Sequence, residues 1–338
     1  DENIRSKYVP LTPMGMGRPE KLSGYEIIVR IHVVSGHKPL PQVLAMIQVS
    51  GLFPAGSITK ADVEQFVRRG CGICELVKLK APPMRVNERP VIPELGKYWV
   101  FDVISLRVTS IQFQFKNIIR FVMKGEKNYR RSYGMKGYTE NDVMNAVGTL
   151  RAFVRPKYGE ILITKADSHP SHPGRARLVT EYYSEAQMQW QLSAPHYHQG
   201  VGEVESTFMH DVPGANALLR GCPAHGGEGH FYTAFLAAEF CSNECIDPRT
   251  KDNLSAAMVF NNRTTLDLRT MFCYGAPAKA LVHLEIRESK YDDHAFACSY
   301  RGPSRENESS NYCWVFKPIA HVTVNIGGMR IDERPVIA

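Results

Sequence analysis

The sequence predicts a multidomain α/β protein with a helical N-terminal module, a central mixed sheet covered by helices, and a small C-terminal β domain. Histidine and cysteine pairs flank two amphipathic helical segments near the start of the chain. Strand-like and helix-like segments then alternate in the order βββαβαβα, and short alternating strands follow residue 250. A chain of 338 residues has room for two or three domains with cores of their own.

The N-terminal module carries the spacing of a structural zinc site. Four residues separate His32 from His37, and two separate Cys71 from Cys74. Imidazole nitrogens and thiolates are the preferred ligands of four-coordinate zinc. The segments "PLPQVLAMI" and "SITKADVEQFVRRGC" between the pairs have helical spacing, and the second has a capping box and a terminal glycine. The alternative, ordinary histidines and buried thiols, explains this agreement less well.

Composition narrows the class of protein. Hydrophobic residues make up 43% and charged residues 22%, as in soluble globular proteins, and no apolar run is long enough to span a bilayer. Among the eight cysteines, only two pairs are close in sequence. We therefore expect a reducing compartment rather than a disulfide scaffold. The start "DENIRSKY" lacks Met and a leader, as expected of either a shortened chain or a piece of a larger precursor.

Positive charge is concentrated in the middle of the chain. Between Val103 and Gly159 there are eleven Lys and Arg residues and three acids, whereas the whole chain has a net charge of +7. Such a run is often only a solvated face, but after a zinc module it favours nucleic acid as a partner. Our candidates for phosphate contacts are Lys78, Lys80, Lys116, Arg130 and Arg131.

Three acids occupy elements that can meet at one edge of the predicted sheet. Asp102 lies within the strand "KYWVFDVISL", Asp167 ends the strand "EILITKAD", and Glu203 opens the helix "GVGEVESTFMH", with 35 residues between the last two. Spacing alone is weak evidence in a chain with 34 acids, and the alternative is that these acids cap helices or pair with Lys and Arg. His169 and His172, beside prolines, are expected to be surface residues.

The sequence resembles the integrase of copia-type long-terminal-repeat retrotransposons, which is part of a Gag-Pol polyprotein. The resemblance rests on the His/Cys module and on "YWVFDVISL", "LITKAD" and "SAPHYHQGVGEVE", and it continues through "FYTAFLAAEFCSNECID" and "GAPAKALVHL". It implies a zinc-binding domain and linker over residues 1–85, a ribonuclease-H-like catalytic core over 86–250, and an SH3-like β-barrel over 251–338. In this chain Pro213 is expected to interrupt the helix that follows the third acid.

The resemblance also implies an activity. Such a protein inserts element DNA into host DNA, with a structural Zn²⁺ and with catalytic Mg²⁺ or Mn²⁺ held by Asp102, Asp167 and Glu203. Its partners would be element-end DNA, target DNA and further copies of itself, in a nucleus reached through a cytoplasmic virus-like particle. Two alternatives stay open: a decayed or domesticated integrase-like protein that only binds DNA, and a nuclease of the same fold acting on RNA·DNA hybrids.

Overall fold

The computed structural model describes residues 22–77, 94–111, 113–125, 127–167, 169–192, 202–222, 227–248, 252–266, 271–281, 295–304, 311–315 and 330–331. No helix among these residues is long and apolar enough to cross a membrane. The chain forms two compact units, each discontinuous in sequence. The five-stranded unit comprises Lys80–Val212 and Ser255–Thr264, and the four-stranded unit comprises Asp1–Leu79, Pro213–Leu254 and Thr265–Ala338. The predicted boundaries after residues 85 and 250 stay predictions.

The first described residues of the four-stranded unit form four helices: α1 (Gly24–Val34), α2 (Leu40–Ser50), α3 (Lys60–Arg69) and α4 (Gly72–Val77). The predicted capping box of α3 is present, because Thr59 and Asp62 satisfy each other's backbone N–H groups. The same Asp62 carboxylate accepts the backbone N–H of Tyr25 at 3.0 Å, which joins α3 to α1. A side chain at Gly24 would collide with this carboxylate, so the close approach requires glycine there.

The five-stranded unit follows the predicted order βββαβαβα. Its elements are β1 (Tyr98–Ser105), β2 (Asn117–Met123), β3 (Arg130–Met135), α5 (Glu140–Tyr158), β4 (Ile163–Ala166), α6 (Arg177–Glu185), β5 (Gln189–Leu192) and the start of α7 (Gly202–Gly221). The strand order in the sheet is β3-β2-β1-β4-β5. Strands β1 to β3 pair antiparallel, whereas β1, β4 and β5 pair parallel, so the predicted mixed sheet is confirmed.

The sheet is apolar on one face because alternate residues of β1 and β2 point into the core. Trp99, Phe101 and Phe121 lie there fully buried. Helix α5, capped by Thr139 and Asp142 as predicted, and helix α6 supply apolar side chains to the same core. The opposite face of the sheet, which includes Asp102 and Arg120, therefore carries the polar groups of the unit.

A short helix, α9 (Ala256–Phe260), completes this core from beyond residue 250. The Phe260 ring is 1% exposed and stacks on Tyr129 at 4.1 Å between centroids, with Phe153 at 5.3 Å. The hydroxyl of Tyr158 donates to the Phe260 carbonyl. Residues 255–264 thus fold with the five-stranded sheet.

The remaining elements belong to the four-stranded unit. They are α8 (Phe231–Glu244) and the strands β6 (Pro277–Leu281), β7 (Ala295–Pro303), β8 (Asn311–Val315) and β9 (Arg330–Ile331), all antiparallel in the order β8-β7-β6-β9. Closure into an SH3-like barrel stays a prediction. The expected interruption at Pro213 is wrong, because α7 continues through it. A proline removes one backbone hydrogen bond, and surrounding packing can offset that loss.

Replacing Phe260 by Ala should destabilise the five-stranded unit by about 3–5 kcal/mol, because it removes a buried ring and leaves a cavity. Denaturant unfolding of the full chain, followed by the fluorescence of buried Trp99, measures the loss. The matched control is Met209→Ala on α7, whose side chain is 59% exposed and whose removal should cost less than about 0.5 kcal/mol. Equal effects would show that residues 255–264 do not support this core.

Candidate functional site

The predicted zinc ligands come together in the four-stranded unit. One ligand atom from each of His32, His37, Cys71 and Cys74 lies within 4.8 Å of the others. The two histidine nitrogens are 3.2 Å apart, and nitrogen-to-sulfur separations are 3.3, 3.3 and 3.6 Å. Around a tetrahedral zinc ion with ordinary bond lengths, two nitrogen ligands lie about 3.3 Å apart, and a nitrogen and a sulfur ligand lie about 3.6 Å apart. The cluster therefore fits a zinc ion.

Backbone geometry and a hydrogen bond prepare the histidines for this role. His32 lies in the last turn of α1, and the loop after the helix turns through Gly36 and His37, both at positive φ, which brings the two rings together. The Nδ1 of His32 lies 2.8 Å from the carbonyl oxygen of Lys38. A carbonyl only accepts, so Nδ1 carries the proton and Nε2 is left free for a metal.

The cysteines sit at the start of α4, after the glycine that ends α3. Hydrogen bonds from Cys74 and then from the histidines lower the pKa of the Cys71 thiol well below its ordinary value. Thiolate is the form that binds zinc. Residues His32, His37, Cys71 and Cys74 would hold the ion, which would tie α1 to α4.

Chain purified without chelator should carry one Zn²⁺, and Cys74→Ser should lose it together with part of its helicity, since metal binding and folding are coupled. Elemental analysis and circular dichroism measure the two effects. The control is Cys245→Ser, because the Cys245 thiol donates to the Gln42 side chain and a hydroxyl can do the same. Wild-type protein free of zinc would contradict the assignment.

In the five-stranded unit, strand register places two predicted acids side by side. The parallel pairing of β1 with β4 matches Val100 with Lys165. Two residues further on, the same register sets Asp102 opposite Asp167, which directly follows β4. Neighbouring strands are about 4.8 Å apart, and residues in register share a face. Asp102 and Asp167 therefore form a carboxylate pair at the end of the parallel strands.

The pair is electrostatically unfavourable without a cation. Burial raises the pKa of Asp102 to about 6, and the charges of Asp167 and Glu205 push in the same direction. The backbone N–H of Val103 donates to Asp102 Oδ1 at 2.7 Å and opposes the shift. One oxygen of Asp167, Oδ1, is buried, and it lies 3.1 Å from His172 Nδ1. These oxygens fit a hard divalent cation such as Mg²⁺ or Mn²⁺.

Asp167 is held by His172, which the sequence analysis predicted to lie on the surface. The His172 side chain is fully buried, and its Nδ1 lies 2.8 Å from the main-chain carbonyl of Asp167 and 3.1 Å from Oδ1. The hydrogen bond from this ring lowers the pKa of Asp167, more than burial raises it. The expectation for His172 is therefore wrong: histidines beside prolines are usually exposed, but this turn folds back onto the sheet.

The third predicted acid points elsewhere. Glu203 forms an ion pair with Lys124. Burial, and then the charge of Glu203, raise the pKa of Tyr98 at the beginning of β1. Val204 between the two acids is buried, so Glu203 and Glu205 leave α7 on opposite flanks, about 200° apart. Glu205 is the helix carboxylate whose charge acts on Asp102. Glu203 keeps one buried oxygen, Oε2, without a hydrogen bond.

Buried polar contacts fix α7 over this face. Arg120, opposite Asp102 in the β1–β2 register, donates to Thr207 at 3.1 Å and forms an ion pair with Asp211 at 2.8 Å, with both charged side chains fully buried. The second oxygen of Asp211 binds Arg130 at 2.8 Å. These contacts anchor the helix that carries the third acid.

Much of the predicted basic surface is used inside the unit. Arg130 is held by Asp211, and Arg131 is 4% exposed with its guanidinium 3.8 Å from the Phe153 centroid. Neither geometry favours contact with phosphate. Lys116 is exposed, and Arg107 and Lys136 lie exposed at the same end of β1 to β3. Lys78 and Lys80 lie outside the described residues.

No protein-family model matches the chain, and no curated protein matches it in sequence. Many solved structures resemble part of it, including the catalytic core domains of two integrases. The catalytic core domain of bovine immunodeficiency virus (BIV) integrase has 12% identity and a TM-score of 0.34, covering 49% of this chain and 95% of that one. The catalytic core domain of human T-lymphotropic virus type 2 (HTLV-2) integrase, in complex with magnesium, has 15% identity and a TM-score of 0.38, covering 51% and 99%. With both TM-scores below 0.5, these likenesses do not decide the activity.

The sequence did not predict that the charge of Glu205 acts on Asp102, or that Tyr138 and His172 form a hydrogen-bonded chain to Asp167. Glu205 lies two residues after Glu203 in the sequence, and the two acids differ only in the side of the helix from which they project. His172 carried the signal of two histidines, spaced three apart, directly after Asp167. Tyr138, far away in sequence, carried none.

With Zn²⁺ bound and no Mg²⁺ or Mn²⁺ present, Asp102→Asn should stabilise the protein at pH 7.5 by about 1–2 kcal/mol, after discounting a half-buried group. A raised pKa means that the native state disfavours the carboxylate. The wild type should lose stability relative to the variant between about pH 4 and 6, and no further above that.

Thermal midpoints at pH 4 and 7.5 measure this difference. The exposed Glu181→Gln is the control and should show no such pH-dependent gain. An Asp102→Asn variant no more stable than wild type at pH 7.5 would contradict the electrostatic account.

Proposed function

We propose that this chain is an integrase that joins element-end DNA to target DNA by metal-dependent phosphodiester transfer. The observation that carries the proposal is the Asp102–Asp167 pair, which the register of two parallel strands places side by side with a helix carboxylate beside it. Several acids brought together on separate elements, with a raised pKa and a buried carboxylate oxygen, are expected where divalent cations bind.

The reaction has a simple balance. The 3′-hydroxyl oxygen of the element end loses its proton and forms a bond to a target phosphorus. The phosphorus bond to the target's 3′ oxygen breaks, and that oxygen takes up a proton and leaves as a hydroxyl. Asp102, Asp167 and a carboxylate of α7 would hold two divalent ions. When bound, such ions activate the attacking oxygen and stabilise the leaving one. The chain's own part is to orient the carboxylates and to bind both DNA molecules.

The geometry favours Glu205 as the third carboxylate, although the sequence motif predicts Glu203. Glu205 acts on Asp102 through its charge, whereas Glu203 is paired with Lys124. Its orphaned Oε2 keeps Glu203 as the competing assignment.

The finer features belong to the same proposal. They are the origin in a copia-type element and its Gag-Pol polyprotein, the ribonuclease-H-like class of the five-stranded unit, and the SH3-like class of the four-stranded sheet. The domain ranges 1–85, 86–250 and 251–338, assembly into a homo-oligomer, and a nuclear location complete it. Exposed Lys116, with Arg107 and Lys136, provides a positive edge suited to DNA phosphates.

A strand-transfer assay with an element-end oligonucleotide and Mg²⁺ or Mn²⁺ tests the activity. Asp167→Asn should reduce joining by several orders of magnitude. Glu205→Gln should reduce it at least ~100-fold and Glu203→Gln less than ~10-fold, since one charge acts on the carboxylate pair and the other on Lys124. DNA affinity should change little, because phosphate contacts come mainly from Lys and Arg.

The control is Glu185→Gln at the exposed end of α6, which should join DNA at the wild-type rate. Loss with Glu203→Gln but not with Glu205→Gln would restore the assignment from the motif. Wild-type chain that binds DNA but joins none with either ion would establish the non-catalytic alternative. Cleavage of RNA·DNA hybrids without joining would identify the nuclease.

A further inference from the structure

We infer that His172 and Tyr138 are positioning residues that set the orientation of the Asp167 carboxylate for metal binding. This inference rests on the proposed function. Its basis is a chain of hydrogen bonds in which the Tyr138 hydroxyl lies 2.7 Å from His172 Nε2, and His172 Nδ1 lies 2.8 and 3.1 Å from the carbonyl and Oδ1 of Asp167.

The direction of the chain follows from its ends. A phenol is protonated at neutral pH, and burial, with the charges of Asp167 and Asp102, raises the pKa of Tyr138 further. The hydroxyl therefore donates to Nε2. Because Nε2 accepts, a neutral His172 carries its proton on Nδ1 and donates it to Asp167. A tyrosine remote in sequence thus selects the tautomer that holds the carboxylate.

Packing fixes both rings. His169 stacks on Tyr138 with centroids 3.8 Å apart and planes 3° apart, and the Ser171 hydroxyl donates to the Tyr138 carbonyl at 2.9 Å. The His172 ring lies 5.1 Å from that of Phe101, edge to face. These contacts bind the turn after β4 to the loop before α5, so neither ring can reorient alone.

Asp167 needs such support because it lies one residue beyond β4 and its side chain is only half-buried. The Nδ1–H lies within hydrogen-bond distance of both the main-chain carbonyl and Oδ1 of Asp167, and Oδ1 is buried beside it. The ring therefore sets the carboxylate direction and leaves the lone pairs of the other carboxylate oxygen to a cation. Removing supports of this kind lowers metal affinity ~10–100-fold.

Two amide substitutions at residue 172 separate positioning from bulk packing. The amide nitrogen of Asn is as many bonds from Cα as Nδ1, and that of Gln as many as Nε2. His172→Asn should therefore retain the donor to Asp167, and His172→Gln should lose it. Tyr138→Phe keeps the ring and removes only the hydroxyl that selects the tautomer.

The readout is Mn²⁺ affinity of the full, Zn²⁺-loaded chain, measured by the paramagnetic resonance of free Mn²⁺, with joining activity recorded in parallel. We expect His172→Gln to weaken Mn²⁺ binding ~10–100-fold, Tyr138→Phe to weaken it ~3–10-fold, and His172→Asn to stay within ~3-fold of wild type. The control is Glu181→Gln on the exposed side of α6, which should also stay within ~3-fold.

Each other outcome is decisive. Equal Mn²⁺ affinity in wild type, His172→Gln and Tyr138→Phe overturns the positioning role and leaves the proposed function standing. Equal losses in His172→Asn and His172→Gln also overturn it, because the ring then acts only by filling space. Wild-type chain that binds no Mn²⁺ overturns the proposed function and, with it, this inference. If His172→Gln does not fold, Tyr138→Phe and His172→Asn carry the same decision.

Discussion

The site in the five-stranded unit depends on the parallel pairing of β1 with β4. Backbone hydrogen bonds between these strands decide that Asp102 and Asp167 share a face and stand one strand spacing apart. A slip of one residue would turn one carboxylate into the apolar core formed by α5 and α6, where its desolvation would cost several kcal/mol. The rings of Trp99 and Phe101 point from β1 into this apolar core and are fully buried. Their burial therefore favours the register that keeps Asp102 on the other face of the sheet.

In this arrangement the carboxylates repel one another at the place where a bound cation would offset the repulsion. The native fold brings negative groups together and raises the pKa of Asp102, whereas the hydrogen bond from His172 lowers that of Asp167. The two carboxylates are thus held differently, one by backbone and one by a side chain. Positive charge is near, but Arg120 and Arg130 are bound to Asp211. Because Asp211 binds both guanidinium groups, they do not neutralise the acids at the strand ends.

Sequence patterns with a local physical cause predicted the fold well. The capping boxes at Thr59 and Thr139 need only residues three apart, and the order of strands and helices follows from periodicity, so both were readable. The four zinc ligands were equally readable from spacing. Features that depend on long-range packing were not predicted from the sequence. The docking of Phe260 into the core and the burial of Arg131 are each decided by side chains remote in sequence.

The choice between Glu203 and Glu205 shows where motif reasoning ends. A motif fixes the number of residues between two acids. A helix turns 100° per residue, so acids two residues apart leave it on opposite flanks. Which flank faces Asp102 is set by what α7 buries, and that is decided by Val204, Thr207 and Asp211. Thr207 and Asp211 are held by Arg120, the cross-strand neighbour of Asp102. The buried ion pair beneath the helix therefore helps to set the orientation of α7 in which the charge of Glu205 acts on Asp102.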